Sequence, residues 1–394
     1  MTTDGIRGCS ICGCRKTDVL HTQRFVLPTG TPLPSSYDVV CCPACGFVYA
    51  DTEATQRTYE YFYTALSKYE DAETGTGGGL APWDAERLAE TAKTVVSLLP
   101  SKKRRVLDLG CSNGGLLEAL SACGVRELAG VDPSPACVKN TKAKGFQAWR
   151  GHLFDVPPDA GKYNCVVLSH VLEHVVDLRD GVAVLEPLLD REAVLYVEVP
   201  DASRYADFLY APFQEFNTEH INHFSHASLS NLMGRNCMAP VLEDRKVLKC
   251  SGDCLYPAIY GAYRLAEAAE WRVDTTTRGN IERYIRESRA MMCRINARLQ
   301  DVLQSSRSVV IWGTGQLAMK LLDETVLKDA SIAACVDGNP ANRGRQLRGV
   351  PIIGPTEIPS PAIPIVITST LHETAIRNCI RTLGLMNPVV SLRV

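Results

Sequence analysis

The chain has no surplus of either charge: 42 Lys plus Arg stand against 44 Asp plus Glu over 394 residues, a formal net charge of -2 at pH 7. Nucleic acids and anionic membranes are held by a concentrated basic face, so neither is expected as a partner. No uninterrupted apolar run approaches the length of a bilayer-crossing helix, and the opening MTTDGIRGCS has no basic region followed by an apolar one. A cytoplasmic protein is expected. The glycine turns carry no lysine of the triphosphate-binding kind, which removes that class of nucleotide site. What remains is a soluble globular composition on a chain too long for one ordinary core, and two or three domains follow.

Cysteine, by contrast, is plentiful, at 16 residues. Without a secretion signal these read as thiols and metal ligands, not disulfides. CSIC (Cys9, Cys12) and CPAC (Cys42, Cys45) are two CxxC knuckles about thirty residues apart, a strong pattern for tetrahedral Zn²⁺. A redox dithiol explains only one of the pairs. Cys14 and Cys41 lie alongside but complete no better-spaced set. Four thiolates leave no open coordination position, so the metal is expected to be structural and to fold a ribbon over residues 1–55.

Residues 104–120, RRVLDLGCSNGGLLEAL, read as a buried strand, a glycine turn and the opening of a helix. Asp108 precedes the glycines, and LAGVDPS ends a second strand in Asp132, about twenty residues on, where a carboxylate can accept both ribose hydroxyls. The turn (Gly110, Cys111, Ser112, Gly114) together with Asp132 and Pro133 resembles that of class I S-adenosylmethionine (SAM) methyltransferases, as does the VLEH stretch after KYNCVVLSH. The LEH turn counts against a nicotinamide dehydrogenase. The resemblance implies a doubly wound SAM-binding core over residues 56–255, with Asp155 approaching the adenine and Ser169 and His170 bordering the methionine end. His170 and His174, four residues apart, mimic a metal-binding face, but the methyltransferase pattern accounts for them better.

Past the next strand lies EFNTEHINHFS, residues 215–225, on the edge where open α/β sheets bind ligands. Methyl transfer needs a positioned nucleophile relieved of its proton, and histidine does this near neutral pH. His220 is the candidate base, with Glu219 orienting it or binding a substrate hydroxyl, and His223 is the alternate base. The order of parts resembles the zinc-ribbon sugar C-methyltransferases acting on nucleotide-activated deoxysugars, over nearly the whole chain. In that family a Tyr-His-Glu-His loop precedes an aromatic and a serine. Here Glu219, His220, Phe224 and Ser225 match, while Asn217 stands where the family has an enolate-stabilising tyrosine, which leaves oxygen or nitrogen methylation open. The family's upstream tyrosine falls to Tyr63 or Tyr69. A capped turn with solvated histidines is the plainer alternative for this loop.

Residues 258–304 read as helical, with Ile281, Tyr284, Ile285, Ser288, Met292, Ile295, Leu299 and Val302 on one face. SVVIWGTGQLAMKLL and IAACVDGNP then form a second strand, glycine turn and helix, ending in Asp337. Residues 256–394 are expected to be a long helix plus a second Rossmann-like domain. Its turn is suited to a pyrophosphate, with Arg343, Arg345 or Arg348 in support, and the resemblance implies that the domain helps form the substrate cleft; a domain that only scaffolds the active site is the equal alternative. The expected fold is thus α/β: a zinc ribbon, a SAM methyltransferase core and a C-terminal Rossmann-like substrate domain. The expected partner is a small-molecule substrate, a nucleotide-linked sugar. The competing readings are O- or N-methylation of another small natural product, RNA methylation with a zinc module, and a cofactor-binding scaffold without activity.

Overall fold

The computed structural model of the protein describes residues 2–66, 77–100, 104–157, 160–251, 254–266, 270–358 and 360–393. The chain opens with an antiparallel sheet of β1 (Thr2–Asp4), β2 (Lys16–Arg24), β3 (Ser36–Cys41) and β4 (Val48–Asp51). Cys9 and Cys12 lie in the β1–β2 loop, Cys42 and Cys45 in the β3–β4 turn. Gly46, at φ +80°, closes that turn, and a Cβ there would sit 1.9 Å from the Asp274 carbonyl, so only glycine fits. Two helices follow. α1 (Gln56–Ala65) starts in a reciprocal Thr55–Thr58 cap, and α2 (Pro82–Leu98) starts at a proline whose missing N–H the first turn does not need.

The central sheet is built from β5 (Arg105–Leu109), α3 (Gly115–Ala122), β6 (Glu127–Asp132), α4 (Pro135–Ala143), β7 (Gln147–Arg150), β8 (Tyr163–Ser169), α5 (Leu178–Ala183) and β9 (Leu189–Pro200). Chain and sheet then part company. The two-residue β10 (Asn222–His223) leaves to become the fifth strand of the N-terminal sheet, against β4. After α6 (His226–Arg235), the hairpin of β11 (Met238–Ser251) and β12 (Cys254–Leu265) completes the central sheet in the order β11-β12-β9-β8-β5-β6-β7. β5 through β9 run parallel and the hairpin adds antiparallel to β9. β5 has β6 on one side and β8 on the other, so the turn after it lies at a topological switch point.

The helix expected from residue 258 is corrected here. Residues 258–265 belong to β12, and an expected boundary at 255 falls inside that strand. Pairing of Ala258 through Tyr263 with Pro200 through Leu195 overrides local helical preference.

α7 (Thr277–Ser305) does bury the expected face, from Ile281 and Tyr284 to Leu299, with Val302 partly buried. Beyond it, β13 (Ser308–Trp312), α8 (Gln316–Glu324), β14 (Ser331–Val336), β15 (Gln346–Leu347), β16 (Val350–Ile353), β17 (Ile365–Ile367), α9 (Glu373–Thr382) and β18 (Val389–Ser391) form a third sheet, ordered β15-β16-β14-β13-β17-β18. Its pairs are parallel apart from β15 with β16. The three sheets share cores. Cys9, Cys42, Phe47 and Tyr49 pack in one cluster with Leu107, Leu172 and Phe224, while Tyr59, Phe213, Phe216 and Tyr284 join the first sheet to the third. Among the described residues no helix is long and apolar enough to cross a membrane.

Candidate active site

The turn after β5 is folded by its own backbone. Gly110 and Gly114 take φ +80° and +75°, Ser112 takes φ 48°, and the Gly110 and Gly114 amides donate to the Val131 and Cys111 carbonyls. Asp132 ties the turn to β6, its carboxylate accepting from Ser112 N (2.8 Å) and Ser134 N (2.9 Å). Each oxygen retains a lone pair, so a ribose diol still fits the carboxylate. Pro133 and Ser134 lead into α4, which Ser134 caps. Asp108 is buried beneath the turn. Desolvation, with the Asp132 charge second, lifts its carboxyl to about 7, and desolvation lifts Asp132 to about 6. The Cys111 side chain faces into the sheet against Gly130, so its contribution to the turn is backbone. Asp155 is exposed in the loop after β7.

The end of β8 departs from expectation. Ser169 is half-buried, but the His170 imidazole, held at φ 58°, is engaged within the protein: Nδ1 lies 3.0 Å from Glu173 Oε1, and Nε2 lies 2.9 Å from Tyr256 Oη and 3.2 Å from Glu198 Oε1. Burial lowers its pKa, yet the two carboxylates outweigh that and raise it to about 9, so it is an imidazolium. Lys246 Nζ, 2.5 Å from Glu198 Oε2, completes a buried set of two cations and two carboxylates. Sequence reasoning missed Glu198, Lys246 and Tyr256, which come together only through sheet pairing.

On the 215–225 loop, Asn217 accepts the amides of Glu219 (2.9 Å) and His220 (2.8 Å) at Oδ1, an Asx turn that presents the next two side chains. His220 is half-buried, with its ring centroid 5.1 Å from that of His174. The carboxylate facing its Nδ1 is that of buried Glu215, at 3.7 Å, whereas Glu219 accepts from the Tyr63 hydroxyl at 3.5 Å. His174 donates from Nδ1 to the Glu219 carbonyl (2.9 Å), and burial lowers its pKa, which leaves a neutral ring with Nε2 as acceptor. Donor atoms of Glu173, His174 and His220 all lie within 4.8 Å of one another, and Glu173 Oε2 and His220 Nδ1 are buried without a hydrogen-bond partner in the described structure.

His223 is a different case. It is buried in β10 between Phe216 and Tyr205, and burial lowers its pKa to about 3. It is a core histidine and not an accessible second base. Tyr69 lies outside the described residues. Of the two expected upstream tyrosines, Tyr63 reaches the loop at the Glu219 carboxylate.

The third sheet meets the same loop. Gln316, at the start of α8, donates to Thr218 Oγ1 (2.8 Å), just after the Gly313–Gly315 turn. Of the expected arginines, Arg343 lies against Gly354 at the carboxyl end of β16, while the other two are engaged elsewhere. Arg348 binds the Leu327 and Ala330 carbonyls at the opposite edge of the sheet, and Arg345 binds Thr29 and Thr31 of the β2–β3 loop.

In the N-terminal sheet, Cys9 Sγ is 3.6 Å from Cys45 Sγ and Cys12 Sγ is 3.5 Å from Cys42 Sγ, and all four sulfurs lie within 4.8 Å. Sulfurs about 2.3 Å from a tetrahedral metal stand about 3.8 Å apart, so the donor set fits one. Cys14 and Cys41 direct their thiols to carbonyls instead.

Residues 83–236 match the family model described as "Methyltransferase domain", and residues 305–389 match one described as "C2185-like, N-terminal". A ubiquinone biosynthesis O-methyltransferase of Bartonella quintana is 28% identical over 108 residues, covering 26% of this chain and 43% of that protein. One from Azorhizobium caulinodans is 34% identical over 88 residues, covering 21% and 34%. The chain thus spans less than half the length of these relatives. Among solved structures, the CcbJ methyltransferase of Streptomyces caelestis is 15% identical with a TM-score of 0.38, covering 52% of this chain and 98% of that one. The plantazolicin methyltransferase BpumL in complex with SAH is 14% identical at 0.39, covering 52% and 94%. The family match, together with the Gly110 turn it contains, makes residues 83–236 a class I SAM-dependent methyltransferase domain.

Proposed function

We propose that the whole chain methylates a small-molecule acceptor, a nucleotide-linked sugar of glycan or natural-product biosynthesis, at a site between the SAM domain and the C-terminal sheet. Its parts on this reading are a structural Zn²⁺ ribbon over residues 1–55, the SAM core and a C-terminal Rossmann-like substrate domain. It works in the cytoplasm, where the four thiols stay reduced. The observation that carries the reading is the placement of one loop: Glu219 meets His174 at the carboxyl edge of the SAM-domain sheet, and Thr218 meets Gln316 at the glycine turn of the third sheet.

When bound, SAM supplies an electrophilic methyl on sulfur and leaves as S-adenosylhomocysteine. Asp132 suits the ribose hydroxyls, the glycine turn the close approach of the cofactor, and Asp155, Ser169 and the His170 backbone its two ends. His220 takes the acceptor's proton, with Glu219 binding an acceptor hydroxyl alongside Tyr63. Glu215 faces the other side of the His220 ring and stabilises the imidazolium that forms. Asn217 is spent on the loop backbone and offers nothing like an enolate-stabilising phenol, which favours oxygen over carbon as the methylated atom. The O-methyltransferase names of the two curated relatives agree with that second reading.

The test is calorimetry with S-adenosylhomocysteine present, titrating thymidine, uridine and guanosine diphosphates, followed by methyl-transfer assays with sugars of whichever nucleotide binds. Binding of one diphosphate, and loss of about 100-fold or more in kcat for His220→Ala with SAM affinity unchanged, is the expected result. No binding of any nucleotide moves a free small molecule ahead as acceptor.

A further inference from the structure

The 216–221 loop hangs from the N-terminal sheet by its carbonyls. Gln23 Nε2, on β2, donates to Phe216 O (2.8 Å), and Tyr37 Oη, on β3, donates to Asn217 O (2.8 Å). Tyr59 Oη, on α1 just after β4, donates to Thr218 O (2.9 Å). Ile221 O accepts from Ala50 N (2.9 Å), on β4, and from Arg7 Nη2 (3.3 Å), which also binds Asn222 Oδ1 (2.8 Å). Arg7 stands two residues before Cys9, and its buried guanidinium covers the Tyr49 ring at 4.9 Å. The loop then becomes β10, pairing Asn222 with Tyr49 and His223 with Val48. These donors sit on β2, β3, β4, the β1–β2 loop and helix α1, and the Cys9–Cys12 and Cys42–Cys45 knuckles draw the β1–β2 loop and the β3–β4 turn of that unit together.

The cofactor turn is tied chiefly to its own strands and helices: among the described residues its bonds come from Val131, Asp132, Cys111, Asn140, Thr141 and Gly77, while Leu109 and Val131 share a core with Cys9, Cys42 and Tyr49. We propose that the four-cysteine metal cluster governs the order of the acceptor loop and not of the SAM pocket, with Gln23, Tyr37, Tyr59 and Arg7 as positioning residues for His220. The cluster is then a structural element of the acceptor half of the site. Loss of the metal, by chelation or thiol oxidation, leaves a protein that holds SAM without presenting its base. The inference rests on the proposed function only in calling this the acceptor loop.

Hydrogen exchange resolved by peptide, on the full metal-loaded chain with and without a zinc chelator, tests it without a known acceptor. The Glu219 and His220 amides are held by Asn217 and the Ile221 amide by Glu173, so they exchange only when the loop opens. Chelation is expected to speed exchange over residues 216–223 about tenfold or more, while peptides of α3 and β6 and the SAM dissociation constant stay within about twofold. Unchanged loop exchange overturns the proposal. So does deprotection spreading evenly through the central sheet with loss of SAM binding, because the metal then holds the whole fold. Tyr59→Phe in the metal-loaded protein guards against that ambiguity: it removes one hydroxyl and should raise exchange roughly fivefold over residues 216–223 alone. No local rise in this variant also sinks the idea. A chain that binds SAM in neither state would defeat the proposed function while leaving the loop measurement readable.

Discussion

Two glycine turns sit at the switch points of two mostly parallel sheets, and because both are tied down in the same way their difference is instructive. In each, a carboxylate at the end of the neighbouring strand ties down the turn: Asp132 accepts from Ser112 N, and Asp337 accepts from Thr314 N at 3.1 Å and from the Thr314 hydroxyl. Two residues before the first glycine, however, stands buried Asp108 in one sheet and buried Ile311 in the other. Burial outweighs the Arg87 charge at Asp108 and lowers stability, whereas an isoleucine at the same place only packs. On the proposed reading the acid is there for the cofactor of the first sheet, and its absence sets the third sheet apart.

The sharpest way to break this comparison is to truncate both tie carboxylates. Asp132→Ala should weaken SAM binding about 100-fold, since two charge-assisted hydrogen bonds to ribose are each worth roughly 1.5 kcal/mol. Asp337→Ala, which makes the same bond to its own turn, should leave SAM affinity within about twofold. Isothermal titration of both variants decides it, and equal losses would mean that the two sheets act on one site.

The second prediction concerns Asp108 itself. Its folded-state pKa of about 7 lies above the unfolded value, so between about pH 4 and 7 the folded chain keeps a proton that the unfolded chain releases. Stability is then lost as pH rises through that window. Asp108→Asn removes the loss and should gain on the order of 2 kcal/mol relative to the parent between pH 5 and 8, read from urea midpoints. Parallel curves for the two proteins would show that Asp108 is already ionised when folded. SAM affinity should fall in the same variant if the carboxylate is there for the ligand.

Much of this was legible in the sequence because it is local. Two CxxC pairs, Asp108, the Gly110 turn, Asp132 and the buried face of α7 each depend on spacing within a single element. What was not legible depends on pairing between distant segments. β10 is two residues long and carries no periodicity, yet it brings the 216–221 loop into the N-terminal sheet. The facing of His220 by His174 and Glu215, not by Glu219, follows from the Asx turn at Asn217 and from the hydrogen bond across to the VLEH turn. Residues 258–265 offered small and aromatic residues compatible with either helix or strand, and pairing with β9 decided. Arg345 and Arg348 looked free for phosphate in sequence, but backbone carbonyls elsewhere had already claimed them.

The smallest expected effect separates two reasons for a glycine. Gly110 sits at φ +80°, and a Cβ there would come within 2.8 Å of Val171 Cγ2, so Gly110→Ala should destabilise by about 1–2 kcal/mol. Gly315 has φ -77° with nothing within 4 Å of the added methyl, so Gly315→Ala should be neutral or gain up to about 0.5 kcal/mol by restricting the unfolded chain. Chemical denaturation of the two variants measures the contrast. A glycine that the fold does not require, at the N-terminus of α8, is one that a ligand's close approach would require. If a nucleoside diphosphate binds at that turn, Gly315→Ala should weaken it without touching stability, while equal diphosphate affinity in the variant would place the nucleotide elsewhere along the loop.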